Sequence, residues 1–426
     1  MSVDPKTSNN YSDDVRIVRH YASTAGGLLC HFTKAYIYGR IVIKKKAVAL
    51  SLGLAGLIAP LALSANSASG AEITSNVTKP LSAISMGDSY ISGEAGRWQG
   101  NSNNWYGSRE GTDRAYTNGG YNPAMVYLWG SYANNCHRSD VSEIQSAPLQ
   151  WPDRWNLACS GAVTQNLWTN SSGGVGMNGE QSQAERLRTA AAARNVKLIA
   201  LSIGGNDLGF SNIISDCVES YIAGSPSCAA KQQTVVNAKM PNAFSNVRKT
   251  IDEIRAVMTQ DGYKTSDYKI ILQSYPAPLP RSSENRYSES GSSRVNAGCP
   301  MYNVDLDWAR NKLVPQIASG LRAVASQKGV TFLDLSDAFQ GREACSKTTS
   351  LVNGSNPPSA VTNEWVRFVT TGALQGQQQE SLHPNAFGQK ALGVCLAQAD
   401  SRVIGSYKCT NTPGKGTDAM TVSTLP

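Results

Sequence analysis

Three stretches of this chain are apolar almost without interruption: "VKLIALSIGG" (196–205), "YKIILQSYP" (268–276) and "GVTFLDLS" (329–336). A strand with one face in water alternates apolar and polar residues. A continuous apolar run of this length is what a strand buried on both faces of a parallel sheet requires. Two shorter runs, "LSAISMG" (81–87) and "WNLACSG" (155–161), read the same way. Helical material lies between and after them. Segment 180–195 is rich in Ala, Glu and Arg, all good helix formers. Segment 244–260 places Val247, Ile251, Ile254 and Met258 on one face. Segment 305–329 is long and carries Pro315, which should kink or break it, and 385–401 is the last helix. Strands alternating with helices predict a three-layer α/β/α sandwich with right-handed crossovers. Functional residues of such sheets gather at the carboxyl ends of the strands.

The chain has 426 residues, 41% hydrophobic and 16% charged, which suits a substantial core. Its net charge of +8 is concentrated at the start. Residues 1–71 hold eight Lys/Arg against three Asp/Glu, which leaves 31 basic and 28 acidic residues downstream, a net of +3. The basic excess therefore does not form a nucleic-acid surface. "KKK" at 44–46, the apolar run 47–63 and the small-residue stretch "SANSASGA" predict a secretory signal over 44–71, with cleavage after Ala71. The apolar run is short for a membrane anchor and is interrupted by Pro60. Residues 1–43 show no such pattern and read as an extension or a misread start. Export agrees with the cysteines: beyond Cys30 there are eight, an even number, and no Cys-x-x-Cys. With only two histidines after residue 71, a structural zinc site is not expected. A single domain is expected over 72–409, with 410–426 as a flexible tail. Within it, 94–135 is rich in Asn, Gly and aromatics, while 277–300 and 341–380 are polar loops or small helical insertions.

"MGDSY" (86–90) places Ser89 at the end of the first apolar run. Gly-Asp-Ser is also an ordinary turn composition. A serine nucleophile needs a base beside it. The choice is between His137, in "NNCHRSD", and His383, in "QESLHPNAFGQ" directly before the last helix. His383 is the better placed. Acyl transfer also needs donors for an oxyanion. "ACSGA" offers the N–H of Gly161 behind the second run, and "IGGND" offers the carboxamide of Asn206 behind the third. Asp88 reads as a turn-stabilising residue.

Ser89, Gly161, Asn206 and His383, in that order, resemble the four signature positions of the SGNH hydrolases, the GDSL-type lipases and esterases. The resemblance spans about 80 to 400. "GDSY" replaces the commoner Gly-Asp-Ser-Leu, and "CHRS", "ACSGA", "SIGGND" and "LHPN" are similar to the actinobacterial secreted lipase branch. The resemblance implies a flavodoxin-like fold with a five-stranded parallel sheet and hydrolysis of esters without metal or cofactor. It implies Ser89 as nucleophile, His383 as base, and Ser89, Gly161 and Asn206 around the oxyanion. The family's acid, three residues before the histidine, is here Glu380. Its carboxylate is one candidate to orient His383; the other is a main-chain carbonyl, as in relatives that work as a Ser–His dyad. Disulfides are expected between near neighbours, each bracketing a loop beside the sheet, with three similar to the branch's pattern: Cys136–Cys159, Cys217–Cys228, Cys299–Cys345 and Cys395–Cys409. The expected substrate is a lipid or acylated small-molecule ester, met by a monomer with transient lipid-surface contact and no nucleic-acid partner. Two other functions stay open: an esterase that deacylates carbohydrate polymers, and a non-catalytic surface-binding protein on this fold.

Overall fold

The computed structural model describes residues 78–104, 108–117, 120–370 and 376–426. The expected leader and extension, 1–71, and the aromatics Trp105 and Tyr106 lie outside the described residues. The sheet strands are β1 (Leu81–Gly87), β2 (Asp153–Asn156), β3 (Asn195–Ser202), β4 (Lys269–Gln273), β5 (Thr331–Asp334), β6 (Ser406–Thr410) and β7 (Thr421–Thr424). Their order is β2-β1-β3-β4-β5-β6-β7. The first five run parallel in the flavodoxin-like order, with the chain reversing direction across the sheet between β1 and β3. All of β5, and all but the first residue of β1 and of β4, are buried, as their continuous apolar runs require.

Two strands exceed the expected five. β6 pairs parallel with β5, and β7 pairs antiparallel with β6. The segment 410–426 therefore ends in an edge strand and is not a flexible tail. It carries few apolar residues, so it lacks a continuous run, but Met420 and Val422 are buried. The second strand is also shorter than 155–161. It leaves the sheet after Asn156, and Leu157 and Cys159 follow β1 only by donating to the carbonyls of Ser85 and Gly87.

The helices that matter here are α1 (Ser89–Ser92), α2 (Gln183–Ala193), α3 (Phe210–Ile222), α4 (Ala229–Gln260), α5 (Val314–Lys328) and α6 (Ala386–Asp400). α2, α4 and α5 pack in series on one side of the sheet; α6 packs with Glu143–Ser146 on the other. α4 begins well before 244 and passes through Pro241. Val236, Met240 and Ala243 extend the buried stripe of Val247, Ile251 and Ile254, and that burial outweighs the lost helical hydrogen bond. Pro315 does not break its helix either. A π-turn over Ala309–Leu313 joins Asn303–Trp308 to α5, and the proline sits just beyond it. The four disulfides join Cys136 to Cys159, Cys217 to Cys228, Cys299 to Cys345 and Cys395 to Cys409, the expected near-neighbour pairs.

Candidate active site

β1 ends at Gly87, whose φ of 140° is open to glycine alone; a Cβ there would stand 1.9 Å from the Ser202 carbonyl oxygen of β3. This close approach lets the chain turn sharply at the sheet's carboxyl end. The Gln183 side-chain amide braces the turn, its Oε1 accepting from the Gly87 N–H and its Nε2 donating to the Gly87 carbonyl, at 2.8 Å each. Asp88 then caps α1, accepting from the Tyr90 N–H at 3.1 Å and from the Tyr275 hydroxyl at 2.5 Å. It is the turn-stabilising residue expected, and burial pushes its carboxyl up to about 7 against those two hydrogen bonds. Ser89 opens the helical turn, so its N–H has no carbonyl four residues back to bond.

His383 lies in the loop before α6. Its Nε2 is 2.7 Å from Ser89 Oγ and its Nδ1 is 3.0 Å from the Ser381 carbonyl oxygen. Arg367 holds this loop on both sides: the Leu382 N–H donates to the Arg367 carbonyl, and the Arg367 N–H to the His383 carbonyl, each at 2.9 Å. The Tyr90 hydroxyl donates to the Leu382 carbonyl at 3.0 Å, and its ring packs 4.9 Å from the imidazole. Asn385 caps α6 by accepting from the Phe387 and Gly388 N–H groups, so Pro384 stands just outside the helix. Burial lowers the His383 pKa; the Glu94 charge and the carbonyls of Ser381 and Glu380 oppose that, and the His137 charge adds to it.

Glu380 is not placed as an acid for His383. Its carboxylate is buried against Arg97 Nε at 3.2 Å, the Tyr127 hydroxyl at 3.2 Å and the Gln377 N–H at 2.9 Å. Its carbonyl accepts from the His383 main-chain N–H at 3.3 Å. The spacing of three was right for the loop but not for the carboxylate. Three residues on, the turn directs the side chain toward Arg97, and the acceptor for Nδ1 is a peptide carbonyl one residue later.

Gly161 and Asn206 lie where the runs before them end, at the same edge of the sheet. Gly161 has φ of 82°, and the Asn206 amide donates one hydrogen to the Ala162 carbonyl at 2.9 Å. That leaves the second amide hydrogen for another acceptor. Ser89, Gly161, Asn206 and His383 line one cleft of about 200 Å³, together with Asp88, Tyr90, Ser160 and Gln379. Tyr90, Phe210 and Ile214 belong both to this cleft and to an apolar recess of about 80 Å³ that continues past Tyr275, Leu279 and Trp308. His137 is not in contact with Ser89. It is fully buried with Nδ1 2.7 Å from Glu94 Oε1. Glu94 escaped the sequence reading, because its partner is 43 residues away and no local pattern links them.

The GDSL-like lipase/acylhydrolase family model matches residues 85–391. The chain is 24% identical over 340 residues to Lipase 1 of Streptomyces coelicolor, covering 79% of this chain and 94% of that one. Among solved structures it is similar to phospholipase A1 from Streptomyces albidoflavus NA297, with 19% identity, a TM-score of 0.43, and coverage of 76% and 98% of the two chains. It is also similar to an extracellular lipase from Streptomyces rimosus, with 19% identity, a TM-score of 0.43, and coverage of 75% and 99%. The match spans most of the chain and includes Ser89 and His383, so this protein belongs to the GDSL-like lipase/acylhydrolase family and is a carboxylic ester hydrolase.

Proposed function

We propose that this is a secreted acyl-ester hydrolase working through a Ser89–His383 dyad. The observation that carries the reading is the 2.7 Å contact between His383 Nε2 and Ser89 Oγ in a cleft shared with Gly161 and Asn206. Ser89 Oγ attacks the acyl carbon while Nε2 takes its proton. The carbonyl oxygen becomes an oxyanion, and the N–H groups of Ser89 and Gly161 and the free Asn206 amide hydrogen are the donors around it. The imidazolium then protonates the departing alcohol. Water, deprotonated by the same nitrogen, cleaves the acyl-enzyme and releases the carboxylic acid. The Ser381 carbonyl accepts from Nδ1–H, which fixes the tautomer that leaves Nε2 free as base. Export is supported by the four disulfides together with the leader pattern.

The apolar recess beyond Tyr90, Phe210 and Ile214 favours an acyl chain over an acetylated sugar at this position. The recess is small in its present shape and suits a short acyl chain. The test is fluorophosphonate labelling of Ser89 combined with a panel of p-nitrophenyl esters of rising chain length, phosphatidylcholine and acetylated xylan. Labelling of Ser89 and a preference for butyrate over palmitate are expected. An unlabelled Ser89 would overturn the dyad. Fastest turnover on acetylated xylan would overturn the acyl-chain assignment.

A further inference from the structure

A Ser–His dyad lacks the carboxylate that steadies the imidazolium in a triad. Glu94 is a buried carboxylate built into the same turn as the nucleophile. Its main-chain N–H donates to the Ser89 carbonyl at 3.3 Å, and its own carbonyl accepts from the Tyr127 hydroxyl at 2.6 Å. Its Oε1 meets His137 Nδ1 at 2.7 Å, and its Oε2 is equally buried. Both side chains are fully buried. A carboxylate and an imidazole sealed from water are costly to keep for fold stability alone.

The same pair is wired to both halves of the dyad. On the nucleophile side, Ser92 Oγ donates to the carbonyls of Ser89 and His137, at 3.2 and 3.4 Å. On the base side, Gln379 packs against the pair, its Nε2 2.9 Å from His137 Nδ1, and lines the cleft with His383, two residues before the Ser381 carbonyl; the Nδ1 proton goes to Glu94, so Gln379 makes a packing contact there and no hydrogen bond. Tyr127 also bonds Glu380, so one hydroxyl ties the Glu94 turn to the His383 loop.

We propose that the buried Glu94–His137 pair is a positioning and charge-support element for His383, with Glu94 supplying at one remove the negative potential that a triad acid supplies by contact. The proposal rests on the dyad reading. Burial alone would raise the Glu94 pKa. The hydrogen bond and charge of His137, then the His383 charge and the Ser160 hydroxyl, outweigh it and hold Glu94 below the usual range. Burial lowers His137, but the Glu94 hydrogen bond and charge and the Glu380 charge raise it above its ordinary value, against Arg97. The charged and titratable groups facing the pair and His383 are thus Glu380, Arg97, Tyr127, Tyr90 and Asp88. Glu380 is engaged by Arg97, and Asp88 by Tyr275. The Glu94 charge favours the protonated His383 ring against its burial.

Two substitutions move the base in opposite directions. Glu94→Gln removes the negative charge at constant shape, so His383 gives up its proton more readily. The acid limb of kcat/KM against pH should move down by about half a unit or more, and kcat should fall about ten-fold. His137→Gln keeps a donor for Glu94 but removes the opposing cation, so the limb should move up. Glu94→Asp keeps the charge and should restore the limb. A purely structural pair would lower the yield of folded enzyme without shifting the limb in any folded variant. The inference is overturned if the limb stays in place in His137→Gln and in Glu94→Gln, or in whichever of them folds. Fluorophosphonate labelling of Ser89 in the unmodified protein separates the two failures: an unlabelled serine sinks the dyad, a labelled one with immobile limbs sinks only the role of Glu94.

Discussion

Ser89 Oγ is one atom whose removal should abolish turnover while leaving the turn intact, because Asp88 and Gln183 hold that turn without it. Ser89→Ala is expected to fold normally and lose nearly all ester hydrolysis; retention of a tenth of the activity would exclude the nucleophile. In the proposed dyad His383 sets the pH dependence. Only the neutral ring can accept the Ser89 proton, and burial lowers its pKa, so the half-point of kcat/KM should fall below the ordinary value of about 6.5. A half-point above that value would contradict the buried environment. Glu380→Gln should cut kcat/KM only a few-fold, since its carboxylate does not touch His383. The same change should cost about 2–4 kcal/mol of stability by leaving Arg97 short of a buried counter-charge. A 100-fold loss of turnover with unchanged stability would reinstate Glu380 as the acid. At this scale, the four residues that share the cleft, Ser89, Gly161, Asn206 and His383, could be singled out because each is a distinct residue type in a recognisable block. The acceptor for Nδ1 was not legible. Every residue has a carbonyl, so position 381 carries no letter that marks the role.

At the scale of elements, the buried strands were readable and the edges were not. β3, β4 and β5 are covered on both faces, and that leaves a continuous apolar run in the sequence. β7 lies at the edge of the sheet with an exposed, buried, exposed, exposed pattern, so its four residues resemble a loop. It is nonetheless tied to α6: the Val422 N–H donates to Gln398 Oε1 at 3.0 Å, and the Gln398 amide to the Met420 carbonyl at 2.7 Å. Deleting residues 411–426 should therefore uncover Met420's and Val422's packing sites and the β6 edge. The expected loss is about 3 kcal/mol, at roughly 1.5–3 kcal/mol per buried side chain, read from the urea midpoint with the Cys395–Cys409 bridge left in place. An unchanged midpoint would restore the flexible tail. Pro241 and Pro315 misled for the opposite reason. Proline signals a break locally, but a long buried stripe in α4 and a π-turn before α5 absorb it.

At the scale of the whole molecule, burial leaves several carboxyls among the described residues reluctant to ionise, most of all Asp88 at about 7, Glu143 at about 8 and Glu343 at about 7. Each is raised above its unfolded value near 4, so the folded state keeps protons that the unfolded chain has lost. That contribution is present at acid pH and disappears as pH rises through about 7 to 8. The raised His137 acts in the same direction, and the lowered His383 in the other. The urea midpoint should therefore be higher at pH 5 than at pH 8; a midpoint that rises over this interval would show that the buried carboxyls do not keep their protons. The sequence by itself determined the α/β class, the order of the first five strands' runs along the chain, and four residues, Ser89, Gly161, Asn206 and His383, that the fold gathers in one cleft, because periodicity and short blocks are local properties. Only the tertiary structure decided the sixth and seventh strands, the orientation of Glu380 toward Arg97, the Ser381 carbonyl behind His383 and the pairing of Glu94 with His137. Each of these depends on which distant segments meet, and on where a side chain points once packing has fixed its turn.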